Sequence, residues 1–520
     1  MQAEHRIVPG EQLAIFPAQA PFSSFKFTES RFKGIDSVRR CFSLARSLGM
    51  KIVTLEKIPC VGLLSEENQE ILEYFPDHQF KEALRLCFWK RDFKAVSHLK
   101  SRDLIGYAIL KHDKVRSKRY DSWHMFEAVF KKYPHQHNCI PNPKRFKIAC
   151  SEKIYSIIGI LYCQQNSLNK ACAQVALRSL LSNHLPEGDI SYKKINELAG
   201  ITPKSGRFPG KGLSVIEIRK VLDGLGIGFR DIDYTQNETL RNTLPYQKFL
   251  YAGIESGAGA LLGFRLSGPD IPDDSPPRHI IPFFGHTFNK DTWVPDAELS
   301  YFDVGGGVGY VPSENWTSSF IGHDDNFGPN FCVPRCHVDR TNVDYVVELF
   351  NKEAQYGGVH AEAVSLGFIY SLAPSIISTP DQNYWIKRLI KFIRGKRIVL
   401  RALFVRKKAY LGHLRNFTDW EGNREAGDFL DGLEAVLPSF VWIVEISLPQ
   451  LFPANERKIG EVLLNPFVRP DTSKDVDFDL FLMARIPCYY FFLDSLNEDN
   501  PMFLLLKSNI QSHMPLITHY

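Results

Sequence analysis

Cys172 is the residue whose surroundings most suggest chemistry. It follows the polar run Gln164, Gln165, Asn166, Ser167, Leu168, Asn169, Lys170, Ala171 and precedes Ala173, Gln174, Val175, Ala176, Leu177. A cysteine on the first turn of an amphipathic helix lies in the positive end of the helix dipole, which favours thiolate over thiol. The small residues Ala171 and Ala173 leave room for a carbonyl to approach. A side-chain amide upstream, Gln165 or Asn166, would then donate a hydrogen bond to the oxyanion as it forms.

A base is offered by Arg278-His279-Ile280-Ile281-Pro282-Phe283-Phe284-Gly285-His286. A histidine opening an apolar strand is held rigidly, one ring nitrogen facing the thiol and the other fixed by a carboxylate or amide. Asp296 follows 17 residues after His279, just past an expected hairpin at Asn289-Lys290-Asp291. His286 competes, because Asp303 follows it at the same interval. His279 is preferred because Asp296 comes after a short strand.

The elements needed to position these groups are legible around them. Tyr155 to Tyr162 reads as a strand leading into the polar loop, and Ala171 to Ser182 as the helix bearing Cys172. Ser191 caps a second expected helix. Ser214, with Glu217 three residues on, caps a third. Strands are expected at Phe229–Tyr234, Ala260–Leu266, Ile280–Phe288 and Thr292–Pro295. Helices first and strands later is an α+β arrangement.

Order and spacing resemble the papain-like cysteine peptidases, and more closely the bacterial peptidases that cleave double-glycine leaders. In that group a Gln precedes the Cys at the head of a helix, a Gly follows the His by six residues, and an Asp or Asn by about sixteen. Gly285 stands six after His279. The resemblance covers roughly residues 155–305 and implies Cys172 as nucleophile, His279 as general base and acid, Asp296 as orienting residue and Gln165 as oxyanion donor. Gln165 lies seven residues before Cys172 and Asn166 six, so either amide fits. Ala173 stands where the family has Gly. The implied fold is α+β, a Cys-bearing helix packed on an antiparallel sheet that carries the His and Asp. The implied reaction is hydrolysis of a peptide or isopeptide bond through a thioester, with no cofactor and no metal. Acyl transfer to an amine, as in transglutaminases, and a non-catalytic binding module are the alternatives.

The 520 residues exceed one ordinary core, and three units are expected: 1–154, 155–338 and 339–520. The flanking units read as mixed α/β. Helices are expected at Ile35–Leu48, Val343–Lys352 and Trp385–Ile393. Further strands are expected at Leu104–Leu110, Met125–Phe130, Ile398–Phe404, Phe440–Ile446 and Pro487–Leu493. A net charge of +5 is too slight for a nucleic-acid-binding face, and the basic run Lys111 to Arg119 reads as a solvated loop. The partner expected is a protein or peptide substrate. The ten cysteines form no disulfide framework, no signal peptide or membrane span is visible, and a cytoplasmic setting with reduced thiols follows. Cys332, Cys336 and His337 lack the second cysteine pair of a structural zinc site. Gly206 to Gly212 is a turn before the third helix rather than a phosphate loop.

Overall fold

The computed structural model describes the chain apart from residues 1–3, 94, 133–137, 186–187, 268–275, 289–301, 306–307, 380–382, 396, 453, 472, 474–476, 495–501 and 519–520. It is α+β, built mainly from antiparallel sheets with helices packed on them.

The first sheet contains β1 (Glu11–Pro17), β2 (Ile52–Ile58), β3 (His78–Trp89), β4 (Leu104–Val115) and β5 (Tyr120–Phe130). The two-residue strand β6 (Asn138–Cys139) belongs to the next sheet. The chain then returns through β7 (Lys144–Cys150) and β8 (Lys153–Tyr162), giving the order β1-β2-β3-β4-β5-β8-β7. Both faces of this sheet are covered. Helix Asp36–Ser47 packs Val38, Phe42 and Ala45 on one side. On the other, helix Cys172–His184 buries Val175, Ala176, Leu177, Leu180 and Leu181.

The second sheet is built from β9 (Phe229–Asp233), β10 (Ala260–Arg265) and β11 (Arg278–Phe288). The hairpin β12 (Phe302–Gly305) and β13 (Val308–Pro312) joins a third sheet, and the second is completed by β14 (Thr317–Asp324), β15 (Gly328–Pro334) and β16 (Val343–Leu349). Its order is β15-β14-β11-β10-β16-β9, with β6 added alongside β11. Helix Cys172–His184 lies on this sheet as well as on the first, and helix Tyr246–Glu255 covers the opposite face. The third sheet continues through strands Val399–Arg406, Phe440–Ser447, Gly460–Leu464, Phe481–Ile486, Tyr489–Asp494 and Met502–Lys507.

Two expectations are corrected. Val343–Leu349 is a strand, not a helix. It is paired on both sides and buried on both faces, so its apolar residues show no alternation and their spacing mimics a helical stripe. Lys111 to Val115 is not a solvated loop but the end of β4. Lys111 is fully buried and pairs with Asp113 at 3.0 Å. Strand pairing also runs across residue 154, since β8 pairs with β5 and β7. It crosses residue 338 too, since β16 pairs with β10 and β9. The strand expected at Thr292–Pro295 lies outside the described residues. No helix among the described residues is long and apolar enough to cross a membrane, and all ten cysteines are free thiols.

The helix bearing Cys172 is tied to the first sheet by buried charge. Arg178 donates to Glu127 of β5 at 2.9 Å and holds Asp189 through two hydrogen bonds of 2.9 and 3.0 Å. Arg6 closes the same network, donating to both oxygens of Glu127 and to Asp189. His5 is held neutral by its burial, which outweighs its contact with Glu127. Two cations therefore face two anions, which is the condition for such a cluster to be tolerated away from water.

Candidate active site

The loop before Cys172 is fixed by its own polar side chains. Gln164 Oε1 accepts hydrogen bonds from Ser37 Oγ (3.1 Å) and from the Met125 backbone N–H (2.8 Å), which anchors the loop to β5. Asn166 is buried. It donates to Glu67 and Asn169, both at 2.9 Å, and accepts from the N–H groups of Leu168 and Asn169. Both of its amide hydrogens are thus committed, and of the two amides named from sequence Asn166 is a loop brace. Lys170 closes the loop from beneath, 3.1 Å from Glu67 and over the Tyr192 ring.

Ala171 is the extended residue before the helix, and its N–H donates to Gln174 Oε1 at 3.1 Å. Gln174 is in turn held by Asn196 and the Pro209 carbonyl, so the first turn is rigid. Its leading N–H groups have no intrahelical acceptor, as at any helix start, and Cys172 contributes the first of them.

His279 opens β11, its ring edge-on to Phe264 at 5.7 Å. The structure brings it to Cys172. Burial alone would depress the imidazole pKa, but hydrogen bonding to Asp324 and to the Cys172 side chain, with the charge of Asp325, raises it to about 10. Nε2 lies 3.2 Å from Asp324 Oδ2 and 3.6 Å from Asp325 Oδ1. Asp324 ends β14 and is clamped by a turn, its other oxygen accepting from the N–H groups of Asn326 (2.9 Å) and Phe327 (3.1 Å). Its burial would raise its pKa, but the hydrogen bond and charge of His279 and these backbone donors hold it below the usual carboxylate value.

The carboxylate hydrogen-bonded to His279 is therefore Asp324, 45 residues downstream. Asp296, expected in that role, lies outside the described residues. Gln165 donates to Asn326 Oδ1 at 3.0 Å, in the same turn as Asp324. It is not among the residues lining the cavity at Cys172. His286 has another environment altogether, beside Cys139 and Glu255.

A cavity of about 380 Å³ opens in front of Cys172 and His279. The 207–215 loop forms one wall, with Gly212 (φ +79°) opposite Ala171. The other wall is β10 and β16, where Tyr345 pairs across from Gly263. A Cβ on Gly263 would come within 2.3 Å of the Tyr345 ring, so only glycine lets that ring lie across the strand. Burial, and then the neighbouring charge of Cys172, push the Tyr345 hydroxyl above its ordinary pKa, so it stays an O–H donor beside the thiol. Tyr345 was missed in sequence because its segment reads as helical. Gly285, six residues after His279, also has a local cause: a Cβ there would meet the Cys139 carbonyl at 2.7 Å, so glycine admits β6 against β11.

His279, Asp324 and Asp325 also place one nitrogen and two oxygens within 4.8 Å of one another, a set that suits a divalent cation. A cation there would have to displace the proton that Asp324 and His279 share. Cys332 and Cys336 are both exposed. Comparison with protein-family models, with curated proteins and with solved structures finds no match for this chain.

Proposed function

We propose that the protein is a cysteine hydrolase acting on amide bonds of peptides or proteins, with Cys172 as nucleophile, His279 as base and acid, and Asp324 as orienting carboxylate. The observation that carries this reading is a helix-tip thiol lining the same cavity as an imidazole that is held at 3.2 Å by a clamped carboxylate. A papain-like fold is supported by the same arrangement, a Cys-bearing helix packed on the antiparallel sheet that supplies the histidine and its carboxylate.

In this mechanism the proton shared by Cys172 and His279 rests on the imidazole, and the thiolate paired with that imidazolium attacks the carbonyl carbon. The developing oxyanion is met by the Cys172 backbone N–H, with the Tyr345 hydroxyl as a further donor in the same cavity. His279 then protonates the departing amine, leaving a thioester on Cys172. Water, deprotonated by His279, releases the acid. The raised basicity of His279 suits the protonation step, since the imidazolium persists at neutral pH until the amine leaves. Asp324, held by two backbone donors, keeps the ring in place through both proton transfers.

The test is labelling by a peptidyl vinyl sulfone at neutral pH, with the modified residue located by mass spectrometry. Selective modification of Cys172, lost in His279→Ala and reduced in Asp324→Ala, is the expected pattern. Uniform slow labelling of the exposed cysteines, with Cys172 no faster than the rest, would overturn the hydrolase reading.

A further inference from the structure

Strand β11 carries a second histidine that is also set between a thiol and a carboxylate. Cys139 on β6 is the direct cross-strand partner of His286. Directly opposite positions of an antiparallel pair put their side chains on the same face, so Cys139 and His286 are neighbours there. His286 Nε2 lies 2.5 Å from Glu255 Oε1, at the end of helix Tyr246–Glu255. The sulfur, the ring nitrogen and the carboxylate oxygen all fall within 4.8 Å of one another. His286 and Glu255 are fully buried, whereas Cys139 is partly exposed.

We propose that Cys139 is a second activated thiol, separate from the hydrolytic site, and that it is a covalent-modification site for small disulfides.

The chemistry follows from the order of the groups. An imidazole that donates to a buried carboxylate is a better base toward its other neighbour, and a thiol in that place passes its proton to the ring. Arg401 donates to Glu255 Oε2 at 3.1 Å and fixes that carboxylate, while the Tyr251 ring packs on His286 at 5.0 Å. Arg401 also holds Glu445 at 3.3 Å, so the carboxylate behind His286 is anchored in a wider buried ionic network. Reaction with a disulfide is then an exchange. The Cys139 thiolate attacks one sulfur, a new S–S bond forms as the reagent's bond breaks, and the other half departs as a thiolate. The thiol proton remains on His286. A bound cation fits less well, because Glu255 is already shared between His286 and Arg401. The hydrolytic role also fits less well here, since Cys139 sits on a two-residue strand rather than at the head of a helix.

The experiment uses the full chain carrying Cys172→Ala, treated at pH 7 with 5,5′-dithiobis(2-nitrobenzoate), each cysteine being followed by peptide mapping. The exposed Cys332 and Cys336 serve as internal standards and the buried Cys87 reports unfolding. Raising the thiolate fraction from a few per cent to a majority, less the accompanying loss of nucleophilicity, predicts that Cys139 reacts about tenfold faster than the two exposed cysteines. His286→Gln should bring it to their rate or below, with Cys332, Cys336 and Cys87 unchanged. The proposal is overturned if Cys139 is no faster than Cys332 and Cys336, or if its rate survives His286→Gln in a folded protein. It is also overturned if the purified chain carries one zinc ion that Cys139→Ser removes. Should His286→Gln unfold the chain, the comparison of Cys139 with the exposed cysteines still decides.

Discussion

Asp325 is the least comfortable group at the Cys172–His279 site. Neither of its carboxylate oxygens has a hydrogen-bond partner among the described residues, and one lies 3.6 Å from His279 Nε2. Burial pushes its pKa up; attraction to His279 offsets part of this, Asp324 adds to it, and the value reaches about 6 from an ordinary 3.8. A carboxyl raised in this way stabilises the folded state fully below pH 3.8, and that contribution is lost as pH rises through about 6. At about 1.4 kcal/mol per pH unit of separation, the ionised group costs the fold about 3 kcal/mol at pH 8. Asp325→Asn keeps the shape and does not titrate. Any cost of its unpaired amide is the same at every pH, so the informative quantity is the difference between two pH values. Relative to wild type, Asp325→Asn should gain about 2.4 kcal/mol between pH 4 and pH 8, or roughly 5–10 °C in Tm for a cooperative unit of 150–250 residues. Thermal melting of both proteins at pH 4, 6 and 8, followed by near-ultraviolet circular dichroism, measures this. An offset in Tm that does not change with pH would refute the reasoning.

Three further outcomes are expected. Asp324→Asn should lower kcat by about 10²–10⁴ with KM little changed, because the ring loses the partner that fixes it; the same loss from Asp296→Asn, with Asp324→Asn active, would move the orienting role. Tyr345→Phe should lower kcat by about 10²-fold if its hydroxyl meets the oxyanion, without changing the rate at which Cys172 is alkylated, a reaction that forms no oxyanion. The free-enzyme profile of kcat/KM should fall as pH rises through about 10, where His279 loses the proton that the leaving amine needs; a basic limb near the ordinary histidine value would contradict the close carboxylate contacts.

What could be read in the sequence was local. The Cys172 helix, the Ser191 and Ser214 caps and the strand opening at His279 are all written in residues a few positions apart. Asp324 was not legible, because what brings it to His279 is the pairing of β14 with β11, and no short-range pattern encodes that register. Tyr345 was hidden by a strand buried on both faces, which lacks the period of two that marks a half-exposed strand. Lys111 was misjudged for the opposite reason: a charge inside a sheet looks like any other charge until its buried partner, Asp113, is placed beside it.

The ionic cluster at Arg178 bears on how this molecule could be divided. The Cys172 helix takes its counter-charge from Glu127 on an earlier sheet, and Arg6 balances the remainder. A shortened chain starting at the strand before Cys172 would leave that guanidinium without Glu127, and a break in such a pair typically costs about 3–5 kcal/mol. Removing only the first ten residues would have the converse effect, stranding two carboxylates around one arginine. The leading segment thus acts as a rivet for a helix more than 150 positions away, and a protease able to clip it would reach Cys172 indirectly, by loosening its footing.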